Sequence, residues 1–379
     1  MTGRAIVLVP GFSREERFLR RDILVRNLLT VEGSSLQLGS PVEIDGERGQ
    51  GLRRRALPPD SADDMVVFEA HWADMANATE DTGPWRKLWQ GFELVQYWVL
   101  SRAMWGALGE ARFATLGLMA SGLLLVLWYL SMALLVASAL ASDPALTEQA
   151  LQLPIVGSLL AGSLEAARII GSWKFWALVA FVLGLVDVDA LVAKAAFVKA
   201  YFENSADETE VGLRDRVRLR VQVTVSTILD HGYEEVLIVG HGFGAAIAVD
   251  VLSGMRRRED WQRLTLVTLG APLGILRRRS KWLAGELDRL MRSQTLRRWV
   301  DFHSEQDWLS LPVPGHDEHF EMGASRRVEF EAPLGDRLTT RTHGAYFRYQ
   351  PILELLAGPM PVDPVAEALN DATDVATLS

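Results

Sequence analysis

Cysteine is absent from the 379 residues, so disulfides, thiolate metal sites and cysteine nucleophiles are excluded at once. Positive charge is scarce: 39 Lys and Arg stand against 48 Asp and Glu, a net charge of −9. A chain with that balance lacks the field on which polyanion binding draws, so nucleic acid is not an expected partner. No secretory leader opens the sequence either. Met1–Arg4 runs straight into a strand-like Ala5–Val9 with Pro10-Gly11 behind it, and the N-terminal segment is expected to begin folding in the cytoplasm. The averages, 49% hydrophobic and 23% charged, are those of a globular protein. The apolar residues, however, are concentrated in the middle of the chain.

Phe113–Ser142 contains no charged residue across thirty positions, between Arg112 and Asp143. About 20 apolar residues suffice for a helix to cross a bilayer core, so this run is long enough to span with tilt. A second apolar stretch, Ile169–Val186, carries Lys174 as its one charge. Trp173, Phe175 and Trp176 stand near its start, where an aromatic belt and a snorkelling lysine would lie. Two spans, at about 113–141 and 169–190, make a transmembrane hairpin within a membrane-associated insertion over residues 101–200. Arg86, Lys87, Arg102 and Arg112 precede the first span, whereas Arg168 is the one base of the link Asp143–Ser172. That asymmetry predicts a multi-pass protein of the inner (cytoplasmic) membrane, with the lipid bilayer as partner and its soluble domain facing the cytoplasm.

Outside the hairpin the pattern is α/β. Ala5–Val9, Met65–Glu69, Glu235–Val239, Leu264–Leu269, Arg298–Phe302 and Arg327–Glu331 read as short strands. Helical patterns lie near Arg14–Leu29 and over Val211–Leu229, Phe243–Leu252, Leu276–Arg297 and Tyr346–Leu356. Strands alternating with helices predict a mostly parallel sheet flanked by helices, built from residues 1–100 and 201–357. Residues 358–379, with three prolines and four acidic residues, read as a disordered tail.

The string Val236-Leu237-Ile238-Val239-Gly240-His241-Gly242-Phe243-Gly244-Ala245-Ala246 runs a buried strand through Gly-X-X-X-Gly into a helix. That is the context of a nucleophile elbow, in which the outer glycines Gly240 and Gly244 permit the sharp turn. The central residue, held in a strained conformation, is serine in the motif G-x-S-x-G. Here it is Gly242, so the side chain on which acyl transfer depends is missing.

With these residues the chain resembles the α/β-hydrolase superfamily, in particular its lipase- and esterase-like members, over roughly residues 1–72 and 205–357. Further strings match in order. Val9-Pro10-Gly11-Phe12 resembles the loop that supplies an oxyanion-hole N–H, which implies the backbones of Phe12 and Phe243 as donors. Leu269-Gly270-Ala271-Pro272-Leu273-Gly274 looks like the lipase-type turn after the next strand. Ser304-Glu305-Gln306-Asp307 follows a strand where the family carries its acid, and Thr342-His343-Gly344-Ala345-Tyr346 stands where it carries its histidine. The resemblance implies His343 as base and Asp307 as its orienting carboxylate, the arrangement that activates a hydroxyl. Asp301 is the rival acid; it lies within its strand, whereas Asp307 lies past the end. No cofactor is implied.

The remaining histidines read as structural. His241 packs beside the nucleophile position in the family, and His71 ends a strand. His303, His316 and His319 sit in or near the Asp307 loop, and no third anchored ligand makes a metal site of them. Ser13, beside the oxyanion loop, does not take the place of a nucleophile in the family's geometry. The runs Arg256-Arg257-Arg258 and Arg277-Arg278-Arg279-Ser280-Lys281 read as solvated faces that can also meet anionic headgroups. Two explanations of Gly242 stay open. One is a serine esterase or lipase for an acyl ester or lipid-like substrate, inactive or impaired as written. The other is a pseudohydrolase that binds a lipid-like ligand or a protein partner without turnover.

Overall fold

The computed structural model describes residues 3–12, 16–31, 36–54, 65–77, 93–94, 97, 122–123, 126–127, 188–206, 211–255, 261–292, 296–307, 309–312, 323–333, 336 and 342–358. They contain eight strands: β1 (Arg4–Val9), β2 (Leu36–Ile44), β3 (Glu47–Arg54), β4 (Met65–Glu69), β5 (Glu235–His241), β6 (Leu264–Leu269), β7 (Arg298–His303) and β8 (Gly323–Arg327). The helices are α1 (Leu19–Leu28), α2 (Asp74–Asn77), α3 (Val188–Glu203), α4 (Leu213–Asp230), α5 (Phe243–Gly254), α6 (Leu273–Arg279), α7 (Lys281–Arg292) and α8 (Gln350–Ala357). One sheet holds all the strands in the order β2-β3-β4-β1-β5-β6-β7-β8. The β2–β3 and β3–β4 pairs are antiparallel and the others parallel.

The central strands read as unbroken apolar runs because both of their faces are covered. In β1, Ala5, Val7 and Val9 enter one core while Ile6 and Leu8 enter the other. β5 splits the same way, with Val236 and Ile238 on the first face and Leu237 and Val239 on the second. The first core takes in Phe197 and Tyr201 of α3, Val217 and Val221 of α4, Ile247 of α5 and Leu283 of α7. The second takes in Leu24 and Leu28 of α1 and Ile352 and Leu356 of α8.

A topological switch point lies between β1 and β5. After β1 the chain moves to the β4 side of the sheet, and after β5 it moves to the β6 side. Connections that depart in opposite directions leave a crevice outside the carboxyl ends of two such strands, the general ligand position of open α/β sheets. Val9 pairs with Gly240, so both strands end at the same level.

Several local expectations are corrected. The hairpin β2–β3 was not foreseen, because most of β2 faces solvent and gives no apolar run. Its signal was Asp45-Gly46, both at positive φ (48° and 85°), in keeping with an Asp-Gly hairpin turn. The last strand is Gly323–Arg327 and not Arg327–Glu331. Val328 and Phe330 are buried by packing, whereas the ladder to β7 runs from Gly323 to Arg327. The single basic helix expected over Leu276–Arg297 is α6 and α7, broken at Ser280, whose hydroxyl accepts from the Leu283 N–H (3.4 Å). The closing helix expected over Tyr346–Leu356 is a 3-10 segment, Thr342–Arg348, followed by α8, whose early Pro351 has no N–H to donate and suits a helix start.

Among the described residues no helix is long and apolar enough to cross a membrane. The expected spans at about 113–141 and 169–190 lie outside the described residues, apart from 122–123, 126–127 and 188–190. The tail from 359 onward lies outside them too. Residues 188–203 form α3, which packs Phe197, Val198 and Tyr201 into the first core.

One buried carboxylate ties four helices together. Asp250 of α5 accepts from the Tyr201 hydroxyl (2.8 Å) and from Nε and Nη2 of Arg214 (2.8 and 2.6 Å). The Arg214 guanidinium lies 3.6 Å from the Trp282 ring centroid on α7. Removing one partner of a buried ion pair costs about 3 kcal/mol or more, because the other charge stays buried without compensation. Asp250→Ala is expected to lower the unfolding free energy by about 3 kcal/mol, read from the urea midpoint, with Asp250→Asn less affected.

Candidate functional site

The turn between β5 and α5 has a conformation that few residues can adopt. Gly242 has φ 54° and ψ −124°, outside the regions open to L side chains without strain. Its N–H donates to the Leu269 carbonyl (2.9 Å), and its own carbonyl accepts from the Ala245 N–H (3.2 Å). The neighbouring glycines are demanded by contact. A Cβ on Gly240 would stand 2.5 Å from the Ala245 Cα, and one on Gly244 would run into the carbonyl oxygens of Val9 and Pro10. The strand, the helix start and the β1 loop therefore approach as closely as backbone allows.

That approach sets the loop of Phe12 against the start of α5, and the Phe12 and Phe243 rings stack with centroids 5.2 Å apart. The Pro10 carbonyl, in the loop that carries Phe12, accepts from Nε1 of the fully buried Trp72 (2.8 Å). Among the described residues neither the Phe12 nor the Phe243 N–H has a protein acceptor. Phe243 also opens α5, where the helix dipole favours negative charge.

Asp307 and His343 meet across 36 residues of sequence. Nδ1 of His343 lies 2.8 Å from Oδ2 of Asp307, which is 2% exposed. The other carboxylate oxygen of Asp307 accepts from the Leu309 N–H (3.1 Å). With Nδ1–H donating to the carboxylate, Nε2 is left as the basic atom. Nε2 points at the elbow: a Cβ built on Gly242 would lie 2.5 Å from it. The rival acid Asp301 is held elsewhere, accepting from the Thr268 hydroxyl (2.5 Å) on the neighbouring strand.

Neighbouring groups hold this pair in place. His241 donates from Nε2 to the His343 backbone carbonyl (2.8 Å), and the two rings lie 4.4 Å apart. Burial, and after it the nearby His343, pushes His241 well below its ordinary value of 6.5, so it stays neutral. Gly270, at φ 57°, leaves room above it: a Cβ there would meet the Tyr346 ring at 2.5 Å and Asp307 Oδ2 at 3.0 Å. Burial first, then the charge of Asp307, pushes the Tyr346 phenol well above 10.0.

A second histidine–carboxylate pair was not anticipated from sequence. His71 Nδ1 lies 3.2 Å from Oε1 of Glu69 at the end of β4. Glu69 also accepts from the N–H groups of Phe18 and Arg21 (3.1 and 3.0 Å), capping α1 from a distance. Burial opposes the charge on Glu69, but these bonds outweigh it and hold the carboxyl below 4.5. His71 borders a cavity of about 570 Å³, which Arg17, Glu47, Asp74, Arg220 and Thr224 also line. β1 stands between this position and the elbow strand β5. His303 bonds Ser325 through Nδ1 (3.1 Å), while Ser13, His316 and His319 lie outside the described residues.

Compared with protein-family models, with curated proteins and with solved structures, the chain finds no match. The site is therefore read from its own geometry.

Two outcomes test that geometry. Gly244→Ala drives a methyl group into two backbone carbonyls and is expected to cost about 3 kcal/mol of stability, seen as a lower urea midpoint. His241 has a folded value below its unfolded one, so its contribution is complete above 6.5 and is lost as the pH falls and the unfolded chain takes up the proton. Chemical unfolding is expected to show stability declining from pH 6.5 toward about 5, with a shallower decline in His241→Gln.

Proposed function

We propose that the chain is an α/β-hydrolase-fold protein of the serine esterase or lipase type, directed at an acyl ester or lipid-like substrate. Its acyl-enzyme chemistry is disabled by the glycine at position 242. The observation that carries this reading is the arrangement at the elbow: a positive-φ turn at Gly242, two N–H groups without acceptors among the described residues, and a carboxylate-oriented imidazole aimed at Gly242. Those are the parts of an acyl-transfer site, less its attacking hydroxyl.

Attachment to the cytoplasmic membrane by an inserted hairpin belongs to the same proposal. Supporting it, residues described on either side of the two apolar runs adjoin. Lys199 of α3 pairs with Glu93 (3.2 Å), and Arg279 of α6 lies 3.4 Å from the Tyr97 ring centroid. A chain that leaves and rejoins the body at neighbouring points suits a hairpin with both soluble segments on one side.

The closeness of His343 supports the second reading, a pseudohydrolase that binds without turnover. At 2.5 Å from the site of a Cβ, the imidazole must retreat before any side chain fits at 242. The ring is the far end of a side chain, so rotation can supply the room. A Cβ at φ 54° also carries backbone strain of about 1–3 kcal/mol.

Gly242→Ser decides between the two. The hydrolase reading expects esterase activity on 4-nitrophenyl butyrate, at least about 100-fold above the parent, abolished by a serine-directed phosphonate that labels residue 242. It also expects a loss of about 1–3 kcal/mol in stability. A folded Gly242→Ser protein that neither turns over ester nor takes up the phosphonate would sink the hydrolase reading and leave the binding one.

A further inference from the structure

We propose that the site, with glycine in place, is a single-displacement esterase in which His343 Nε2 acts as general base on water; this rests on the reading of the elbow given above. An ordinary contact between a Cβ and a ring nitrogen is about 3.4 Å or more, yet Nε2 lies 2.5 Å from where a Cβ at 242 would be. The ring has thus advanced by roughly an ångström into the volume that a hydroxymethyl group would fill. A triad histidine waits behind its nucleophile, whereas this one faces the crevice itself.

Every other requirement of a general base is met by residues that do not depend on a serine. Asp307 accepts a hydrogen bond from Nδ1–H at 2.8 Å and so selects the tautomer whose Nε2 carries the free lone pair. Among the described residues Nε2 has no protein partner. His241, held neutral and donating to the His343 carbonyl, anchors the backbone of the base without placing a second positive charge beside it. The N–H groups of Phe12 and Phe243 remain available to an oxyanion.

The step balances without an added reactant. A water oxygen attacks the ester carbonyl carbon as Nε2 removes its proton, and the carbonyl π pair moves to oxygen, bonded by the two backbone N–H groups. Collapse of that intermediate breaks the bond to the alkoxide, which leaves with the proton from Nε2. The products are a carboxylic acid and an alcohol, no covalent intermediate forms, and the imidazole returns to its starting state. Substrates with good leaving groups suit this route, because water is a weaker attacking group than a positioned alkoxide.

The test uses the full chain in detergent with 4-nitrophenyl acetate. The parent is expected to hydrolyse it without an initial burst, more slowly in D₂O, unaffected by a serine-directed phosphonate and with no acetyl group on the protein by mass spectrometry. His343→Ala is expected to lower this turnover at least about 100-fold. Asp307→Asn, which disturbs the tautomer but keeps the shape, is expected to lower it at least about tenfold, with both variants unfolding at urea midpoints near the parent's. Should either variant fail to fold, the absence of a burst and of an adduct in the parent, with the D₂O effect, carries the decision. Turnover unchanged in a folded His343→Ala protein, or an acetyl adduct in the parent, overturns the inference. A parent that is inert while Gly242→Ser is active overturns it and leaves the hydrolase reading intact; both inert removes that reading as well.

Discussion

The close approach of β1, β5 and α5 is the constraint from which the rest of the site follows. β1 and β5 end in register, Val9 opposite Gly240, and the helix must start within a few residues of the strand's end. Side chains at 240 and 244 would collide with backbone, and the link between them passes through positive φ at Gly242. Once that bend is made, the start of α5 and the loop at Phe12 meet at the switch point. Its position outside the carboxyl ends of two strands whose connections diverge is where an open α/β sheet has space for a ligand.

Polar groups around the bend orient the His343 imidazole while His241 and Tyr346 beside it stay neutral. His241 is kept neutral by burial and spends its Nε2 proton on the His343 backbone. Tyr346 keeps its proton beside Asp307, so the carboxylate stands against a neutral phenol and not a second anion. Gly270, at positive φ one strand away, supplies the room in which Asp307 and Tyr346 sit. This pairing of a buried carboxylate with the His343 imidazole gives Nε2 its direction toward Gly242.

How much was legible in the sequence depended on how far burial dominated each segment. Met65–Glu69 and Leu264–Leu269 are apolar on both faces, and their limits could be read directly. The hairpin Leu36–Arg54 could not be read so easily, because most of it faces solvent and its one strong signal was the Asp45-Gly46 turn. The edge strand Gly323–Arg327 was displaced for the opposite reason. Val328 and Phe330 look like a strand because they are buried, but the ladder to β7 ends at Arg327, with the Val328 N–H donating once more to the His303 carbonyl. The role of α3 was hidden too, since its aromatic residues gain meaning only when Phe197 and Tyr201 are seen against Phe12 and Phe243.

By itself the sequence determined the elbow, because glycine at 240, 242 and 244 between a buried strand and a helix is a local backbone requirement readable from residue type and order. It equally determined the alternating α/β pattern and the uncharged run at 113–142, both properties of consecutive residues. The tertiary structure alone decided that Asp307 and not Asp301 holds His343, and that the imidazole stands inside the space a side chain at 242 would take. Those are relations between separate segments, with Asp307 and His343 36 residues apart and His241 and His343 102 apart. No local pattern encodes a distance of that kind; it is set when several strands stack in register and their carboxyl ends come level.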